Sequence, residues 1–190
     1  MKTHKAVYIL KFAVLLFVFG IVLGSIIYLS YKPSLTFFFD EFKSTIFTSH
    51  NNVFLIDIGI ITLIFIASIT IIGMPLIVFY IFYEGLSLGY TLVAFFTYNS
   101  FKGVLFYILF FIIIKLIYII LVLYFSVISI KFSKEFLKNL VQKNKSEVFH
   151  NLYLHFLRYV IVLGATLVNS TFIYFFSNKL LTLISALLEV

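Results

Sequence analysis

A carboxylate and an ammonium group stand inside two of the most apolar stretches of this chain. Glu84 falls in "YIFYEGLSLGY" (80–90) and Lys115 in "FFIIIKLIYII" (110–120). Insertion scales assign about 2.5–3.5 kcal/mol to an Asp, Lys or Arg at the centre of a membrane helix, so an ionisable group kept there marks a site. Glu84 lies about 15 Å along its helix from Met74, and Lys115 about 24 Å from the inner and 20 Å from the outer end of a longer helix. A lysine side chain spans that difference in depth. The spacing therefore predicts a Glu84–Lys115 ion pair between adjacent antiparallel crossings. Two alternatives stay open: each group faces the bundle interior or a wet crevice separately and snorkels, or one of them carries a proton or ion in transport.

The other chemistry-bearing residues point away from catalysis. Asp57 is expected about five residues into its crossing, near the outer surface, where it would snorkel. His4, His50, His150 and His155 read as loop or interface residues, and no two show an HExxH-like spacing. The chain has no cysteine, which removes disulfides, thiol catalysis and thiolate metal sites. It offers no phosphate-cradling glycine loop, no nucleophile elbow, and no Asp pair or Ser–His pair at matching membrane depths. The segments outside the apolar runs are roughly 20 to 30 residues long, too short for a separate nucleotide-binding or catalytic domain. We therefore expect no enzyme, no cofactor and no metal. The net charge of +7 is explained by lysines beside inner helix ends and does not imply nucleic acid.

The elements that position these residues follow from hydropathy. The chain is 63% hydrophobic and 11% charged, with a mean hydropathy of +1.18. Several runs reach the roughly 18 to 20 residues that one helical crossing needs, and they are uniformly apolar, which excludes a spanning β-barrel. The fold class is an all-α polytopic membrane bundle forming a single domain. Five crossings are expected at about 12–30, 53–72, 75–98, 103–130 and 159–177. The first follows Lys2, Lys5 and Lys11 and reads as a retained anchor. The run 53–98 would be about 69 Å long as one helix, so it must turn, and "GMP" with Gly73 and Pro75 is the strong breaker. Gly85 and Gly89 form a GxxxG step, which lets helix backbones approach closely within lipid. The third crossing is thus an internal helix packed on its glycine face.

Two segments lie outside the crossings. The outer segment 33–52 places Leu35, Phe38, Phe39, Phe42 and Ile46 on one helical face, as in an interfacial helix or a surface for a partner. The inner segment 131–158 alternates Phe132, Phe136, Leu137, Leu140 and Val141 with lysines, and reads as a basic amphipathic helix on the anionic leaflet. With five crossings the termini lie on opposite sides. An N-inside arrangement leaves Lys2, Lys5, Lys11, Lys131, Lys134, Lys138, Lys143, Lys145 and Arg158 inside, and only Lys32, Lys43, Lys102 and Lys179 outside. The positive-inside rule favours that arrangement, with the C-terminus extracytoplasmic.

The stretch "SITIIGMPLIVFYIFYEGLSLGYTLVAFFTYNSFKGVLF" (68–106) resembles the central region of the stage II sporulation protein M family of endospore-forming bacteria. The "IIGMP" turn, the charged residue before the GxxxG step, the "KG" at Lys102 and Gly103, the "NN" at Asn51 and Asn52, and "LHFLRYVIVLG" (154–164) carry the resemblance, over roughly 10–180. Two features depart from it: the family carries a basic residue where Glu84 stands, and a polar step near Ile113–Lys115 where this chain reads "IIK". A charge exchanged across the third and fourth helices would account for both. The resemblance implies a non-enzymatic scaffold in the bacterial cytoplasmic membrane, at the sporulation septum or engulfing membrane. It would hold peptidoglycan hydrolases, stage II sporulation proteins P and D, outside the membrane. The outer segment 33–52, the Lys102 turn and the tail 177–190 become candidate contact surfaces. The bilayer is the other partner, and an oligomer is left open. The rival reading is a permease subunit that works with a separate ATPase and uses 131–158 as its coupling element.

Overall fold

The computed structural model describes residues 2–31, 50–70, 72–110, 115–142 and 145–188. They form α1 (Lys2–Tyr31), α2 (His50–Ile69), α3 (Gly73–Phe110), α4 (Leu116–Val141) and α5 (Lys145–Leu188), with no strand among the described residues. The outer segment 33–52, with Phe38, Phe39, Phe42 and Ile46, lies outside them except for its last residues, which open α2.

Four stretches are long and apolar enough to cross a membrane: Tyr8–Tyr31, Gly73–Thr97, Leu116–Val141 and Ser146–Ile173. The expected second crossing falls on α2, whose apolar part includes Leu55–Ile69. At 20 residues α2 rises about 30 Å, the depth of a hydrocarbon core.

The "GMP" hairpin stands where its residues predict. The Thr70 N–H donates to the Ala67 carbonyl at 3.0 Å and the Gly73 N–H to Thr70 at 3.2 Å. A Cβ on Gly73 would overlap the Ala67 backbone, so only glycine fits the turn. Pro75 falls in the first turn of α3, where its missing N–H costs no helical bond.

Helix α3 is not straight. The hydroxyls of Thr91 and Tyr107 approach to 2.7 Å although the residues are sixteen apart, and the rings of Phe95 and Tyr107 stack at 5.2 Å. A straight helix would separate Thr91 from Tyr107 by about 24 Å. The chain therefore folds back between Phe95 and Tyr107, where the turn between the third and fourth crossings is expected. The returning arm comprises the end of α3 and then α4.

The remaining helices alternate in direction. Phe19 meets Phe82 and Tyr28 reaches Thr97 through hydroxyls 2.9 Å apart, so α1 runs parallel to the first arm of α3. Thr62 pairs with Tyr159 and Ser68 with His155, so α5 runs antiparallel to α2. These contacts enclose a core of Ile61, Ile64, Ile77, Ile81, Val122, Phe125 and Val162.

The α1–α3 contact is made by four glycines rather than two. A Cβ on Gly85 would overlap the Phe17 carbonyl, and one on Gly89 that of Ile21; from the other side, Gly20 is closed by Phe82 and Gly24 by Leu86. The sequence reading found the step on α3 but not its partner "GIVLG" on α1. At this closeness Ser25 donates to the Ile21 carbonyl at 2.9 Å and approaches the Gly89 carbonyl across the interface at 3.4 Å.

The inner segment 131–158 is not a separate interfacial helix. It consists of the end of α4 and the start of α5. Phe132, Ser133, Phe136 and Asn139 are buried, while Lys134, Lys138 and Arg158 are exposed. Phe132 and Phe136 therefore pack against the protein, where the antiparallel arm of α5 supplies a closer partner than the lipid surface, while Leu140 and Val141 stay exposed.

Candidate functional site

The two hairpins set Glu84, Lys115 and Asp57 at one level. Asp57 precedes the end of α2 by twelve residues and Glu84 follows the start of α3 by eleven, so each lies about 17 Å from the α2–α3 hairpin. One helical turn before Glu84, the Tyr80 hydroxyl donates to its Oε2 at 3.2 Å. The Tyr80 and Tyr118 hydroxyls are 3.4 Å apart. Because Tyr80 spends its proton on Glu84, Tyr118 is the donor in that second contact. The Lys115 Nζ sits 5.7 Å from the centre of the Tyr118 ring, in cation–π range. The structure thus brings Glu84 and Lys115 into one cluster, and the connection it records between them runs through the two tyrosines.

Asp57 completes the cluster, and its placement corrects the sequence reading. It is 6% exposed rather than snorkelling to the surface, and it lies within electrostatic reach of both Lys115 and Glu84. Its depth counted from the hairpin was the signal that could have found it. The site therefore holds two acids and one base, framed by two tyrosines. Among the described residues no three acidic, His or Cys side chains are grouped to hold a metal ion.

A second polar site lies nearer the α2–α3 hairpin. His155 was expected at a loop or interface, but it stands on α5 with no exposure. Its ring stacks on Phe132 at 4.0 Å, on Phe125 at 5.6 Å and on Phe65 at 5.5 Å. Ser68 donates to the Phe65 carbonyl at 2.6 Å, so it accepts from His155 Nε2 at 2.8 Å. That assigns the proton to Nε2 and leaves Nδ1 without a partner, alongside the buried hydroxyls of Ser126, Ser129 and Ser133. The stripe Leu152, His155, Tyr159, Val162, Thr166, Asn169, buried or half-buried throughout, has helical spacing and would have revealed this site. The charges around it, Arg158 above all, concealed the pattern.

Fold and sites define the class: an all-α polytopic bundle with a charged cluster inside its membrane-spanning part. The family model for stage II sporulation protein M matches residues 13–189. The chain belongs to that family. No curated protein and no solved structure matches it.

Proposed function

We infer that the chain is a non-enzymatic membrane scaffold of sporulation, which recruits and positions peptidoglycan-degrading proteins while the septal wall is remodelled and the forespore engulfed. The observation that carries this reading is the family match over 13–189, reached independently of the helix count. The partners are cell-wall hydrolases of the stage II sporulation P and D kinds, acting outside the cytoplasmic membrane. The chain holds them through helix faces and through the outer segment 33–52. Glu84 and Lys115 serve the fold, as a pair bridged by Tyr80 and Tyr118.

Affinity purification from the native host in a gentle detergent, with mass spectrometry of the co-purifying proteins, tests the scaffold. Recovery of peptidoglycan hydrolases with single membrane anchors is the expected result. A nucleotide-binding ATPase recovered without hydrolases would overturn it in favour of a permease subunit, coupled through the arm formed by the end of α4 and the start of α5.

A further inference from the structure

The charge count of the intramembrane cluster does not close. Asp57, Glu84 and Lys115 share one level, and with all three ionised they carry a net charge of −1. A net charge inside a low-dielectric bundle is unfavourable unless something neutralises it. The surroundings of the two carboxylates differ. Glu84 accepts the Tyr80 hydroxyl, which is itself supported by Tyr118, and it faces Lys115 across the same tyrosines. Asp57 is more than nine-tenths buried, and no hydrogen-bond donor among the described residues reaches it. The groups facing it are Glu84 and Tyr80 from α3, and Lys115 and Tyr118 at the start of α4. On α5, Tyr159 is held by Thr62, and His155 is held by Ser68, about 17 Å along α2 from Asp57. Lysine 115 can neutralise one carboxylate and not two.

We propose that Asp57, Glu84 and Lys115 form an intramembrane proton-binding site that holds one exchangeable proton, carried chiefly on Asp57. The proton comes from water and adds to a carboxylate oxygen. No bond to carbon changes, and no redox partner is required. The remaining carboxylate and the ammonium then balance, and the cluster is neutral. This site is independent of the scaffold reading: a scaffold and a permease subunit would both need the charges to close.

Infrared difference spectroscopy on the full chain in liposomes, in H2O and D2O, separates the carbonyl stretch of a protonated carboxyl from carboxylate bands. At roughly pH 8 carboxyls in water are ionised, so any such band belongs to buried groups. The wild-type chain is expected to show one protonated carboxyl. Asp57→Asn is expected to show none, because Glu84 and Lys115 now balance. Glu84→Gln is also expected to show none, because Asp57 and Lys115 balance. Lys115→Met is expected to show two. If burial of Asp57 alone governed its proton, Glu84→Gln would keep the band and Lys115→Met would leave it single, and either result would overturn the proposal. Absence of any band in the wild-type chain would overturn it as well.

Discussion

Ser68 and His155 come from helices that run in opposite directions, yet they share one buried hydrogen bond at 2.8 Å beneath a stack of three phenylalanine rings. Removing one partner should cost more than removing both. Ser68→Ala leaves the Nε2–H of a fully buried imidazole without an acceptor, a loss of about 1–3 kcal/mol, read as a lower thermal midpoint in detergent. The double variant Ser68→Ala, His155→Phe keeps the aromatic stack and strands no ring nitrogen, so most of that loss should be recovered. A double variant less stable than Ser68→Ala alone would show that the ring nitrogens have a use beyond this bond. Glu84 and Lys115 permit the complementary test. Glu84→Gln removes the charged acceptor of the Tyr80 hydroxyl and Lys115→Met the cation over the Tyr118 ring, so each single substitution should destabilise by about 1–3 kcal/mol. Exchanging the charges, with Glu84→Lys and Lys115→Glu together, should restore most of it. Independent, additive losses would sink the pair. The charges were legible in the sequence because they interrupt apolar runs. The tyrosines that connect them were not, because tyrosine is common in such runs and only a tertiary contact singles out Tyr80 and Tyr118.

Between α1 and α3 the glycines act as one element-level device, since lipid offers no hydrophobic drive for two helices to associate and close packing must supply it. Gly24→Ala and Gly89→Ala each place a methyl group against the opposing backbone. Backbone cannot swing aside as a side chain tip can, so each change should cost about 1–3 kcal/mol of overpacking. Gly59 and Gly164 meet nothing within 4 Å, and Gly59→Ala and Gly164→Ala should be neutral or stabilising by about 0.5–1 kcal/mol. Thermal unfolding of the four variants side by side checks the contrast, and equal effects at all four positions would refute close approach as the cause. Locally encoded features of this kind were readable in advance. "GMP" demands a turn, and the reversal between Phe95 and Tyr107 sits between two runs too long to be one. What escaped reading was pairing. "GIVLG" on α1 has no local mark assigning it to Gly85 and Gly89, and the lysines of 131–158 disguised two packed helix ends as a surface helix.

At the scale of the whole molecule, the alternating helix directions divide the described ends into two sets. Tyr31, the bend after Thr97 and the end of α5 lie together. The α2–α3 hairpin, the end of α4 and the start of α5 lie at the opposite end, with Lys11, Lys131, Lys134, Lys138 and Arg158. The clustering of basic side chains at one end is what the positive-inside rule converts into orientation, and it predicts that the hairpin end faces the cytoplasm. The absence of cysteine from the chain makes the assignment directly measurable with single introduced thiols. Ser30→Cys and Lys138→Cys both sit at exposed positions, one at each end. A membrane-impermeant maleimide added to intact protoplasts should label Ser30→Cys and leave Lys138→Cys unmodified until the cells are lysed. Labelling of Lys138→Cys in intact cells would invert the molecule. It would place the outer segment 33–52 on the cytoplasmic side, out of reach of any hydrolase working on the wall.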